Sequence, residues 1–172
     1  MPAARFVTDA ALDRFARRLR FLGYDVVTHR GVRLEELFDL AGRDGRIVLT
    51  SSPRHPRRYA AVAVFQVLAA DEAAALRHIA AGYEAASEPF TRCPRCNTAL
   101  IKRSTFEARG EVPGRVTRSG SPLRYCPACG KWYWIGSHVA RIAAWLEAAL
   151  GRPVAVPQAE PQALGPTAGA AE

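Results

Sequence analysis

The four cysteines of this 172-residue chain fall into two matching knuckles, Cys93-Pro94-Arg95-Cys96-Asn97 and Cys126-Pro127-Ala128-Cys129-Gly130. Two Cys-x-x-Cys pairs offer four thiolates, the number a tetrahedral zinc ion takes. The short gap lets both sulfurs of a pair reach one ion, and Gly130 permits the turn that aims backbone amides at sulfur. Thiol-disulfide chemistry is the rival use of such pairs. It is disfavoured where every cysteine belongs to a knuckle and the chain reads as cytoplasmic. With Cys93, Cys96, Cys126 and Cys129 all ligating, no coordination position stays open, so the zinc is expected to hold structure and do no chemistry. The 29 residues between the knuckles leave room for strands at Ala99 to Lys102 and Gly114 to Thr117, which predicts a zinc ribbon.

A second group of reactive side chains lies where predicted strands end. Asp9 follows a strand-like Arg5 to Thr8, and Thr50-Ser51-Ser52 closes another at Arg46 to Thr50. Glu35, Glu36 and Asp71 are further carboxylates that could join Asp9 around a divalent cation. Each has a plain structural use as well: Asp9 and Asp71 suit helix N-caps, and Glu36 suits a solvated surface. The elements that must position them follow from periodicity. Leu12, Phe15, Ala16, Leu19 and Leu22 recur at helical spacing before Gly23; Asp25 to Thr28 reads as a strand; Leu34, Leu37, Phe38 and Ala41 mark a second helix. After Arg46 to Thr50 come a loop with Pro53 and Pro56, an apolar run from Ala60 to Leu68, and a helix with Leu76, Ile79, Ala80 and Tyr83 on one face. Alternating strands and helices with short connections predict an α/β fold with a parallel sheet, whose ligand crevice lies at the carboxyl ends of the strands.

Residues 84 to 91 read as a linker into the ribbon, and Val139, Ile142, Ala143, Leu146 and Leu150 as a terminal amphipathic helix. Four prolines and three glycines in the last 22 residues predict a disordered tail. The expected organisation is therefore an α/β domain over residues 1–84, a zinc ribbon with its helix over 90–150, and a tail over 151–172. No apolar run is long enough to span a bilayer, and the first residues lack the features of a secretory signal, which predicts a cytoplasmic protein.

Charge is unevenly divided. Residues 1–90 carry 13 Arg against 11 acidic residues, whereas 91–150 carry 10 Lys and Arg against 3 Glu. A concentrated positive field favours a polyanion such as nucleic acid. Its 22 Arg to 2 Lys also suit an overall bias toward arginine. Arg17 and Arg20 share a helix face with Asp13, an arrangement that fits either surface pairing or phosphate contact. Arg54, Arg57 and Arg58 form a basic loop beside Ser52, with His55 as a possible proton carrier or replacement ligand. Trp132, Tyr133, Trp134 and His138 fit either base stacking or packing of the ribbon, and packing is favoured for at least two of the rings. No partner is evident for His29 or His78.

Several stretches, in order, resemble the Mut-seven C-terminal RNase family. They are Asp9 with Leu12 and Ala16-Arg17-Arg18-Leu19-Arg20-Phe21-Leu22-Gly23-Tyr24-Asp25, then Glu36-Leu37-Phe38-Asp39-Leu40-Ala41 and Gly45 to Thr50. Phe90 to Asn97 and Cys126 to His138 complete the match, which runs from about residue 5 to residue 142. That family is similar to PIN-domain nucleases with an appended zinc ribbon and is associated with metal-dependent RNA cleavage. The resemblance implies a PIN-like sheet and a magnesium or manganese ion held by Asp9, Glu36 and Asp71. It also implies RNA, single-stranded or structured, gripped by Arg17, Arg20 and Lys131. Where the family pattern reads Thr-Arg-Asp, this chain has Thr50-Ser51-Ser52, and the expected Gln-Leu is Ala75-Leu76. Ser52 brings no charge to a cation site. The alternative expectation is therefore an RNA-binding module with impaired catalysis.

Overall fold

The computed structural model describes residues 3–157. Four strands, β1 (Arg5–Thr8), β2 (Asp25–Thr28), β3 (Ile47–Thr50) and β4 (Val64–Gln66), form one sheet in the order β2-β1-β3-β4. All neighbours are parallel, with Phe6 beside Val26 and Ile47, and Leu49 beside Phe65. Side chains alternate across a strand, so Phe6, Val26 and Leu49 enter one core while Val7 and Val48 enter another. A sheet covered on both faces is what an all-parallel arrangement requires.

Helices α1 (Asp13–Phe21) and α3 (Glu72–Gly82) cover the first face, and α2 (Leu34–Asp44) covers the second through Leu37, Phe38 and Ala41. Gly45, in the left-handed region at φ 62°, ends α2 as a helix C-terminus favours. Gly23 is doubly constrained. Its φ is 89°, and a Cβ there would lie 1.9 Å from the Ser87 carbonyl oxygen. Ser87 N–H donates to Gly23 O and Phe90 N–H to Phe21 O, so the segment expected as a linker is laced onto the end of α1.

The ribbon comprises β5 (Ile101–Arg103), the short helix α4 (Gly114–Arg118), β6 (Leu123–Cys126) and β7 (Lys131–Trp134), its antiparallel strands ordered β5-β6-β7. The strand expected at Gly114 to Thr117 is helical instead. Val116 of α4 buries against Ala108, Val112 and Leu123, with Trp132 and Trp134 packed alongside.

Helix α5 (Ser137–Leu150) leaves the ribbon and returns to the sheet. Ala143, Leu146 and Ala149 join the core made by Phe6, Leu19, Leu76 and Ile79, and Arg77 donates to Ala149 O at the helix end. The helix grouped by sequence with the ribbon thus packs as part of the first unit. Of the tail expected to be disordered, residues 151–157 are described, and Val154 is buried at 7% exposure with its N–H donating to Glu147. The remainder, 158–172, lies outside the described residues.

Candidate functional site

The cysteines converge. All four sulfurs lie within 4.8 Å of one another, with Cys93 and Cys129 at 3.7 Å and Cys96 and Cys126 at 3.4 Å. Zinc–sulfur bonds in a tetrahedron place sulfurs roughly 3.8 Å apart, so the cage fits such an ion. Burial opposes ionisation of Cys96, but hydrogen bonds from Thr98 and the adjacent sulfurs outweigh it and hold its pKa at about 6. Burial pushes Cys126, 3.4 Å away, up to about 12. Neighbouring thiols that resist losing a second proton are what a divalent cation resolves, since it binds all four as thiolates. The Tyr133 hydroxyl, 3.1 Å from Cys93 Sγ, is positioned to donate to that sulfur.

The first knuckle is also fastened to the sheet. β2 is an edge strand, and Asn97, held at φ 70°, accepts the Val26 N–H with its side-chain oxygen and donates to Asp25. Arg20 completes the joint. It was expected on the surface for RNA, yet its side chain is 1% exposed and its guanidinium is fully engaged. Nε donates to Val26 O at 2.8 Å, Nη1 to Pro94 O at 2.8 Å and Nη2 to Thr28 Oγ1 at 2.6 Å. Its neighbours Ala16 and Leu19 lie on the buried face of α1, which draws it inward. It is therefore a cross-link between helix, strand edge and knuckle.

At the carboxyl edge of the sheet the picture differs. Asp9 follows β1, and one carboxylate oxygen accepts from the N–H groups of Ala11 and Leu12, capping a 3-10 turn. Asp71 caps α3 by accepting from Ala74 N–H. Glu36, in the first turn of α2, meets His29 across 3.3 Å; His29 N–H in turn donates to Thr8 O beside Asp9. Gly31 makes this pairing possible, because a Cβ there would lie 2.3 Å from both the imidazole and the Glu36 carboxylate. Ser52 accepts from Arg54 N–H. Among the described residues the cysteines alone converge as a metal-sized cluster of three or more ligands. Asp9, Glu36 and Asp71 lie at the end of β1, in the first turn of α2 and at the cap of α3, and do not form such a cluster.

Two residues outside the expected set belong here. Asp13 accepts from Thr28 Oγ1 at 2.9 Å and pairs with Arg17 at 2.8 Å, with Arg20 and Arg30 at 3.8 and 3.7 Å. Burial disfavours its charge, but those hydrogen bonds and guanidiniums outweigh it and lower its pKa. His29 is the other, and its partner could not be read from sequence because a loop brings Glu36 back seven residues later. Arg17 is half-exposed, and Lys131 is exposed at the start of β7 beside the second knuckle. His55 stacks on Phe38, and its Nε2 lies 2.8 Å from Tyr59 O; His78 stacks against Phe65.

Strand order, ribbon and four-sulfur cage together agree with a family model, the Mut7-C RNAse domain, which matches residues 4–146. The chain belongs to that family. The match runs from the approach to β1 through Leu146 of α5, taking in both the sheet and the ribbon that the Arg20 joint unites. No curated protein and no solved structure matches the chain. Membership gives a ribonuclease-type function with RNA as the implied substrate, and the cysteine cluster can hold a metal such as zinc. Among the described residues no helix is long and apolar enough to cross a membrane.

Proposed function

We propose that this protein cleaves RNA at the carboxyl edge of its parallel sheet, with Asp9 and the Glu36–His29 pair handling the proton of the attacking oxygen. The observation that carries the reading is the placement of these groups in a chain of an RNase family: Asp9 ends β1, and His29, which holds Glu36, is hydrogen-bonded to the last residue of the same strand. The second carboxylate oxygen of Asp9 remains available for a proton after the first has capped the turn. Glu36 orients the imidazole, so His29 can take the proton of the attacking oxygen as the new P–O bond forms and pass it to the oxygen that leaves as the old P–O bond breaks, while the carboxylate steadies the imidazolium in between. Arg30 and Arg17, anchored beside this edge by Asp13, supply positive charge for the phosphate. Zinc, bound by four cysteines, keeps the ribbon folded on the edge strand.

A second reading, RNA binding with impaired catalysis, is favoured by Ser52 at the position of the family's aspartate, where no charge is available for a cation. Labelled single-stranded RNA incubated with wild type and with Glu36→Gln, each with and without manganese, decides between them. Turnover that falls about a hundredfold or more in the variant supports cleavage at this edge, in line with the usual worth of a positioned base. Tight binding with equal, background-level turnover in both proteins establishes the second reading.

A further inference from the structure

A groove of about 630 Å³ runs between α1, the first cysteine knuckle and α5. Five arginines line it, Arg14, Arg17 and Arg18 from α1, Arg95 from the knuckle and Arg141 from α5, with His138 at the start of α5 and Trp145 one turn beyond Arg141. No carboxylate is among the lining residues. Two of the arginines are anchored inside the protein: Arg17 pairs with Asp13, and Arg18 pairs with Glu72 while its guanidinium lies 3.7 Å above the Trp145 ring. Arg14, Arg95 and Arg141 are exposed and, among the described residues, pair with no carboxylate. Burial, and to a lesser degree the charge of Arg14, lower the pKa of Arg18.

The three unpaired guanidiniums, gathered beside two paired ones, disfavour the compact state, and an anion lying along the groove relieves this. We propose that the groove is the track on which single-stranded RNA lies, its phosphodiester backbone following Arg14, Arg95 and Arg141 and an unpaired base resting against Trp145. A single small anion would meet one or two of these cations; a chain of phosphates meets all of them. Trp145 is 39% exposed, and beyond the part of its ring that the Arg18 guanidinium covers it offers an aromatic surface beside the groove's arginines, which suits an unpaired base. The first turn of the 14-residue α5, with its positive dipole end, adds to the field at His138. At the other end Arg17 reaches Asp13, which is bonded to Thr28 at the carboxyl end of β2. A strand in the groove is thereby led to the edge that carries Asp9. The inference rests on the RNA-cleaving reading and names where its substrate is held.

Binding of a fluorescently labelled, unstructured oligoribonucleotide, measured by anisotropy over a salt series without added divalent cation, tests it apart from cleavage. Arg14→Ala/Arg95→Ala/Arg141→Ala is compared with Arg43→Ala/Arg115→Ala/Arg118→Ala, which removes equal charge from exposed sites elsewhere. Three lost phosphate contacts on a single strand reduce the slope of log affinity against log salt by roughly 2, a loss of roughly fortyfold near 0.15 M salt. The control triple is expected to bind within about twofold of wild type. RNA quenches tryptophan fluorescence in wild type and leaves it nearly unchanged in Trp145→Phe, which locates the strand even if a triple variant folds poorly. Equal losses in the two triples, or unchanged quenching in Trp145→Phe, overturn the groove. If the groove triple binds normally while wild type still cleaves, the track is refuted and the cleavage site survives. If binding is groove-dependent and cleavage is absent, the reverse holds.

Discussion

The cysteine cage and the carboxyl edge of the sheet are both built from acidic donors, yet one is closed and the other open. In the cage, short-range spacing within each knuckle fixes two sulfurs at a time, and a single antiparallel pairing, β6 with β7, places Cys126 opposite Lys131 so that the second knuckle forms the hairpin turn. At the sheet edge, each carboxylate arrives on a different connection and satisfies a local need: Asp9 and Asp71 cap turns and Glu36 meets His29. Ser52 leaves the one remaining position uncharged. The contrast separates a four-sulfur cluster that is complete within the fold from a sheet edge whose carboxylates are each held by local partners.

Breaking the closed site should have the largest effect. Cys126→Ser, or prolonged chelation, is expected to abolish the ribbon and to lower the stability of the α/β unit as well, because Arg20 and Asn97 tie the first knuckle to β2. Structural zinc is worth on the order of 10 kcal/mol of folding free energy, so thermal unfolding followed by circular dichroism should show one cooperative transition displaced far downward. Metal analysis should find one zinc per chain. A sheet that keeps its unfolding temperature without metal would show the two regions to be independent.

The joint itself comes next. Arg20→Met removes the four hydrogen bonds of a buried guanidinium and leaves the carbonyls of Val26, Pro94 and Arg95 without it. A cost of about 3 to 5 kcal/mol in denaturant unfolding is expected, as for removal of one buried charged partner. An unchanged midpoint would mean that the knuckle and the edge strand are held by other contacts.

Acidification gives the smallest effect. Asp13 and Asp25 have folded-state pKa values below 3.8, for in each case hydrogen bonds and guanidiniums outweigh burial. Their stabilisation is therefore present above that value and is lost as pH falls through the lower folded values. Unfolding midpoints should hold from neutral pH down to about 4 and decline below it, and Asp25→Asn should make the decline shallower. A parallel decline in the variant would remove Asp25 from the explanation.

Much of this was legible in the residues. The alternation that buries Phe6 on one face and Val7 on the other, the two knuckles, and the capping roles of Asp9 and Asp71 all follow from local spacing. What escaped depends on contacts distant in sequence. Arg20 reads as a surface cation by sequence, yet its N–H donates to Pro94 O, 74 residues later. Val116 sits in the Gly114 to Thr117 stretch read as strand, which forms α4 instead, and α5 could be assigned to the first core only when Leu146 was seen beside Phe6 and Leu76. The Glu36–His29 pair required a loop whose Gly31 clears the space between them.

The most direct test is single-turnover cleavage of labelled single-stranded RNA by wild type and Asp9→Asn side by side. Asparagine caps a helix as well as aspartate does, so folding and RNA affinity should be unchanged. The account predicts that cleavage by Asp9→Asn is slower by about a hundredfold or more. Equal rates in the two proteins would contradict it.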